Sequence, residues 1–420
     1  MKMKVWQLSR DDNSGGASRA AYRLHVALTQ CGIDSHMRVL TRETANDRVI
    51  AGPAPRTLRQ RIVSRLQREL RDRNHKKFKT DNLILHSFGH ETAGLVDELN
   101  QCDADVLNIH WIAKFLSVED IGRLTKPLVW TLHDMWAFCG GEHVAPDDEH
   151  SRFRVGYLPD NRPAGESGPD LNRLTWQAKR RAWANQRFTI VTPGNWMAGC
   201  VRDSVLFRDS PVHVIPNPLE MEQLWRPLPR QFARAALGLD PDKQFVLAGS
   251  AGGMPHLKGE DLLRECMARV EASAPGQVEL LMFGQRRPAG AADWPCPVHW
   301  LGPVHDDHVL ATLYCAADVM MVPSRQDNLP NTAVESHACG TPVVAFTIGG
   351  LPDIVTHQRT GWLAKPFDTG DLAQGVLWVL ADKQRWQALS EAARQSALSK
   401  YAAAVVTAQY MAVYDAARNR

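Results

Sequence analysis

Two carboxylates eight positions apart, Asp327 and Glu335, stand in the stretch "PSRQDNLPNTAVESHACGTPVVAF", residues 323–346. Asp327 falls in a polar loop and Glu335 in the first turns of a short helix, which Asn328 is placed to cap and Pro330 to open. A β-branched strand, "TPVVAF", follows Gly340. Acids so near a helix start repel phosphate and accept hydrogen bonds from neutral hydroxyls, which a ribose and a hexose both offer. The pair therefore suggests a nucleotide-sugar cradle, with phosphates on amides and cations and sugars on carboxylates. The turn formed by Asn328, Leu329, Pro330 and Asn331 would line it. An acid favouring the helix dipole explains one carboxylate but not the other.

Three further stretches could do chemistry. In "DDNSGGASRAA", Gly15 and Gly16 open a helix, and their amides could receive a phosphate or a hydroxyl; a plain strand-to-helix turn is nearly as good a reading. It is not GxGxxG, which weakens a dinucleotide reading. In "TLHDMWAF", His133 and Asp134 end an apolar strand, where the histidine could donate to a sugar hydroxyl or carbonyl or be structural, the two weighing evenly. In "GSAGGMPHLKGEDLL", Lys258 precedes Gly259 and a helix, a cationic pocket for a diphosphate if the lysine is not simply solvated.

Elements that position these residues alternate along the chain as short apolar strands and helical patterns, the signature of parallel α/β sheets. Strands read at 4–8, 35–40, 105–111, 127–134 and 188–193, and after a linker at 212–220 again at 243–253, 278–284, 298–302, 318–324 and 341–346. Helices read over 15–32, with Gly32 as the stop, and over 257–273 and 305–317. Residues 143–170 read as a long polar loop. The division is 1–211 for a first Rossmann-like domain and 212–400 for a second, with a helix at 401–420 crossing back onto the first.

A chain of 420 residues with a formal net charge of +3 has room for two globular domains and names no partner by charge alone. Its eight cysteines lack zinc spacing and suit a reducing compartment as buried packing residues. No apolar run reaches a bilayer-spanning length, and the start has too short an apolar core for a signal peptide, so a cytoplasmic location is expected. Residues 56–79 carry seven Arg and three Lys against Glu69 and Asp72, with Leu58, Ile62, Leu66 and Leu70 in one stripe. Such a helix either lies on an anionic membrane or is a solvated face packed by its stripe, at even odds. Aromatics do not interleave the basic residues, so nucleic acid is not expected.

These stretches together resemble the retaining glycosyltransferases of family 4, which have the GT-B fold. That family carries Glu, seven residues, Glu, then Gly-x-Pro-Val-Val-Ala, and "DNLPNTAVESHACGTPVVA" is similar. "GGLPDIV", "TGWLAKP", "VIPNPLE" with Asn217, and "TLHD" with His133 look like its other segments. The variant motifs resemble the subset that builds bacterial surface polysaccharides, as in colanic acid clusters. The resemblance implies two Rossmann-like domains facing each other across a cleft and closing over the substrates. It also implies transfer of a sugar from a nucleoside diphosphate to a glycan or lipid-linked hydroxyl, without a metal or other cofactor. Glu335 would bind the donor ribose, Asp327 the transferred sugar and Lys258 the diphosphate. His133 would complete the catalytic set, with Gly16, His133 and Asp134 toward the acceptor and Gly15 and Gly16 toward the donor. Asp327 stands where the family has Glu, and the Arg usual before the Lys is missing; Arg325 is the candidate replacement. Alternatives are a nucleotide-sugar hydrolase or epimerase of the same architecture, and a catalytically weak nucleotide-sugar-binding partner.

Overall fold

The computed structural model describes residues 3–54, 74–249, 255–287 and 293–420. The basic stripe predicted to begin at residue 56 falls outside these as far as residue 73. The chain forms two compact units, one of Met1–Ile215 with Thr407–Arg420 and the other of Pro216–Val406.

The first unit is built on seven parallel strands in the order β3-β2-β1-β4-β5-β6-β7. They are β1 Lys4–Leu8, β2 Asp34–Val39, β3 Val49–Ala51, β4 Val106–Ile109, β5 Leu128–Thr131, β6 Phe188–Thr192 and β7 Val212–Val214. β4, β5 and β6 are buried at every position, as a sheet covered on both faces requires, and hence read as apolar runs. The predicted linker at 212–220 is corrected at its start: Val212–Val214 is an edge strand, paired with β6 through Ile190, Val191 and Thr192. β3 escapes a periodicity reading because three residues show no pattern.

The second unit has six parallel strands in the order β10-β9-β8-β11-β12-β13. They are β8 Gln244–Gly249, β9 Val278–Phe283, β10 Val298–Gly302, β11 Val319–Val322, β12 Val343–Phe346 and β13 Gly361–Ala364. The helix predicted over 257–273 is two helices, Pro255–Lys258 and Glu260–Ser273. Gly259 divides them in the left-handed conformation, φ +70°, and a Cβ there would lie 2.0 Å from the Pro323 carbonyl oxygen. Only glycine lets these two segments meet.

In each sheet the strand order reverses beside a central strand, between β1 and β4 and between β8 and β11. Open α/β sheets bind ligands at the carboxyl ends of the strands flanking that point. The C-terminal helix, Ala403–Arg418, places Tyr410 and Tyr414 in the buried interior of the first unit.

Candidate functional site

At the strand ends of the second unit, β11 leads into the loop that carries Asp327. Lys258 Nζ lies 2.6 Å from Asp327 Oδ2, and the Ser324 hydroxyl donates to the same oxygen at 3.2 Å. The lysine side chain is 35% exposed and the aspartate 13%, so the pair is half-sheltered from screening. The loop is shaped from behind by two glycines. A Cβ on Gly349 would stand 2.1 Å from the Asp327 carbonyl oxygen, and one on Gly350 1.7 Å from that of Asn328. The Gly350 amide donates to the Asp327 carbonyl at 3.0 Å. These contacts give the segment "GGLPDIV" its physical role.

Glu335 is 3% exposed on the helix Asn331–Ala338 and accepts from the Tyr314 hydroxyl at 2.9 Å. Asn331 accepts from Asn217 at 3.4 Å, and Leu329 belongs to the apolar core, so only its backbone can serve a ligand. Asn328 is not the helix cap. The N-cap is Pro330, without a side-chain cap bond, because a residue before proline is driven out of the helical region and the helix cannot start earlier.

Arg325 is not a vacant cation. Its guanidinium makes a bidentate pair with Asp261 at 2.7 and 2.6 Å and donates to the His256 carbonyl at 3.0 Å. The hydrogen bonds from Arg325 hold the Asp261 carboxyl down to about 2. With the Arg325 amide on the Leu257 carbonyl at 2.8 Å, this residue fastens the short helix that bears Lys258.

In the first unit, Gly15 and Gly16 are exposed at the start of the helix Gly15–Gln30. Gly15 has φ +82° and open space where a Cβ would stand, so backbone conformation alone demands glycine there. His133, half-buried after β5, has its Nε2 3.0 Å from Nδ1 of His110. Burial pushes His133 down to about 4, so it is neutral at pH 7.

Asp134 is committed to its own loop. Oδ2 accepts from Trp111 Nε1 at 2.9 Å and meets His143 Nδ1 at 2.6 Å, while Oδ1 accepts the Trp136 amide at 3.0 Å. Burial pushes its carboxyl up, but His143 and the amide outweigh that and hold it below the usual range. His143 Nε2 lies 2.8 Å from Ser87 Oγ, so Asp134, His143 and Ser87 follow the order of an acyl-transfer triad. The glycine amides beside Ser87 are already taken, Gly140 by the Tyr157 hydroxyl at 2.7 Å and Gly141 by Asn172 Oδ1 at 3.2 Å. They offer no oxyanion pair, and the series is a brace for the loop. Lys179, fully buried, completes that brace by donating to the carbonyls of Trp136, Cys139 and Gly140.

The sequence reading missed His110, Tyr314, Ser324 and Asp261. His110 had a signal, since Asn108 and His110 alternate in "VLNIHW" as polar positions on one strand face. Tyr314 had none, being a lone hydroxyl in an apolar helix. Among the described residues no group of three or more His, Cys, Asp or Glu is placed to hold a metal ion.

Comparison with known proteins gives this arrangement a family. Residues 14–223, half of the chain, match the model described as Glycosyltransferase Family 4, and residues 244–382 match that for Glycosyl transferases group 1. The D-inositol 3-phosphate glycosyltransferase of Segniliparus rotundus is 34% identical over 191 residues, which is 43% of this chain and 42% of that protein. The chain thus spans less than half the length of this curated relative. The name points to an inositol phosphate, not to the surface-polysaccharide subset that the motifs resemble. Among solved structures, sucrose-phosphate synthase from Thermosynechococcus elongatus superposes with a TM-score of 0.65 at 18% identity, covering 99% of both chains. HepE of Anabaena, solved with UDP and glucose, gives 0.64 at 14% identity, covering 98% of this chain and 99% of its own. Two switch-point sheets of the GT-B kind and two adjoining family matches lead to one conclusion: the chain belongs to glycosyltransferase family 4, with a group 1 region in its second unit.

Proposed function

We propose that the protein transfers a sugar from a nucleoside diphosphate sugar to a hydroxyl of a glycan or lipid-linked acceptor, with retention of anomeric configuration and without a metal. The observation that carries the reading is the Lys258–Asp327 pair at the carboxyl ends of β8 and β11. A sugar diphosphate is an anion joined to a polyol, and this pair offers a cation to the first part and an acceptor to the second. Glu335, on the adjacent helix, takes ribose hydroxyls. In the reaction the bond from the anomeric carbon to the diphosphate oxygen breaks and one to the acceptor oxygen forms. The acceptor proton leaves with the departing phosphate, whose charge Lys258 and the helix start offset. Gly15, Gly16 and His133 are the first unit's own candidates for substrate contact.

A second acceptor class has its own support, since the curated relative is named for D-inositol 3-phosphate. We place the protein in the cytoplasm, with the basic composition of residues 56–79 supporting peripheral contact with an anionic membrane. No helix of the described residues is long and apolar enough to cross a membrane. The test is incubation of UDP- and GDP-sugars with and without a lipid-linked glycan or inositol phosphate. Turnover only with an acceptor is expected, with Glu335→Ala reducing it at least tenfold. Equal release of free sugar without any acceptor would favour a hydrolase instead.

A further inference from the structure

Buried polar side chains under β1, β4 and β5 form a continuous hydrogen-bonded chain that reaches His133. Gln7 and Asn108 are register partners on β1 and β4. Asn108 Nδ2 donates to Gln7 Oε1 at 3.0 Å and to the Tyr414 hydroxyl at 2.9 Å, and Gln7 Nε2 donates to the same hydroxyl at 3.3 Å. Thr131 Oγ1 donates to Asn108 Oδ1 at 3.0 Å and stands 3.2 Å from the Tyr410 hydroxyl. On the other side, His110 Nε2 lies 2.8 Å from Gln7 Oε1 and His110 Nδ1 lies 3.0 Å from His133 Nε2.

With the two amides oriented as these contacts have them, donor and acceptor counting assigns the ring hydrogens of both histidines. Turning the Asn108 amide alone would set two oxygens 3.0 Å apart, and turning Gln7 alone would do the same with two nitrogens. Turning both would leave the single Tyr414 proton to bridge two carbonyl oxygens. The arrangement in which both amide nitrogens donate to the two lone pairs of the phenol oxygen gives each contact a hydrogen. Gln7 Oε1 is then an acceptor, so His110 carries its proton on Nε2. Burial holds His110 neutral, far below its ordinary value. Its Nδ1 therefore accepts, and the hydrogen in the contact must come from Nε2 of His133. Neutral His133 has no second ring hydrogen, so its Nδ1 is an acceptor.

We propose that Tyr414 and Gln7 are positioning residues that set the tautomer of His133, holding its proton on Nε2 so that Nδ1 accepts a hydrogen bond from a substrate hydroxyl. This revises the sequence expectation, since such a ring can receive a hydroxyl hydrogen but cannot donate to a carbonyl through Nδ1. The hydroxyl contact rests on the glycosyl-transfer reading; the tautomer does not. Tyr414 belongs to the C-terminal helix, 281 positions from the histidine it sets.

Long-range proton–nitrogen correlation spectra of histidine-labelled protein at pH 7 test the proposal, with His133 assigned by its loss in His133→Gln. His110 and His133 should both show the Nε2–H pattern. Tyr414→Phe removes the oxygen that both amides address, so His133 should become a mixture of tautomers. Tyr410→Phe, which removes a hydroxyl 3.2 Å from Thr131 Oγ1 and keeps the ring beside Tyr414, should leave it on Nε2. An Nδ1–H pattern for His133 in the unaltered protein, or an unmoved one in Tyr414→Phe, would overturn the relay. The first of these needs no variant to fold. With UDP- or GDP-sugar as donor, Tyr414→Phe should lower kcat/KM at least fivefold while leaving UDP affinity unchanged. A shifted tautomer with unchanged kcat/KM would overturn the hydroxyl contact, whereas absence of transfer by the unaltered protein would count against the glycosyl-transfer reading alone.

Discussion

Arg325 and Asp261 show how a single contact changes the meaning of a residue. An arginine that touched the diphosphate would, on removal, weaken nucleotide binding, and removing its competing aspartate would tighten it. Here both side chains fasten the short helix that carries Lys258. Arg325→Ala and Asp261→Ala should therefore weaken binding of the nucleoside diphosphate, UDP or GDP, to a similar extent, and the double variant should be no worse than either. Isothermal titration of the three variants checks this, and tighter binding by Asp261→Ala would restore the direct role to Arg325. The pair is partly exposed, so its contribution to stability should stay below about 1 kcal/mol.

At the scale of elements, the glycines of the second unit mark where backbones touch. Gly350→Ala puts a methyl 1.7 Å from the Asn328 carbonyl oxygen, and the loop bearing Asp327 must shift to admit it. Unfolding in urea should show a loss of about 2 kcal/mol or more, and UDP-sugar binding should weaken with it. Gly276→Ala has no neighbour within 4 Å but keeps φ +66°, so it should lose only about 1 kcal/mol, with binding unaltered. The same scale explains what the sequence disclosed. Buried parallel strands such as β4 and β5 appear as apolar runs, and the two acids stood out by their spacing in a loop and helix start. The edge strands β3 and β7 did not, each being three residues long, with Pro216 two positions past the end of β7. The true helix start followed from the proline rather than from the better capping residue. Lys258, Tyr314 and His110, the distant partners of Asp327, Glu335 and His133, were hidden because sequence spacing carries no record of contacts between segments 21 to 69 residues apart.

At the scale of the whole molecule, the interior holds histidines that must stay neutral. Burial pushes His25 down to about 4 and His337 to about 3, and His110 lies well below its ordinary value. In the unfolded chain each titrates near 6.5. Below that value the unfolded state binds more protons than the folded one, so stability falls as pH drops from about 6.5 toward about 4. Each fully shifted histidine contributes up to about 1.4 kcal/mol per pH unit to that fall. The thermal midpoint should be markedly lower at pH 5 than at pH 7, and a flat profile across that interval would contradict the neutral assignments.

The measurement closest to the central claim is calorimetric titration of UDP and of UDP-glucose, with GDP and GDP-mannose in parallel, into the unaltered protein and into Lys258→Ala and Asp327→Ala. Lysine and aspartate hold each other 2.6 Å apart, so a diphosphate must compete with the carboxylate for the ammonium group. For the nucleotide that binds, Lys258→Ala should weaken both the free diphosphate and its sugar conjugate. Asp327→Ala should tighten the free diphosphate by releasing the lysine, while abolishing any preference for the conjugate. Diphosphate binding that ignores both substitutions would place the donor elsewhere and contradict the account.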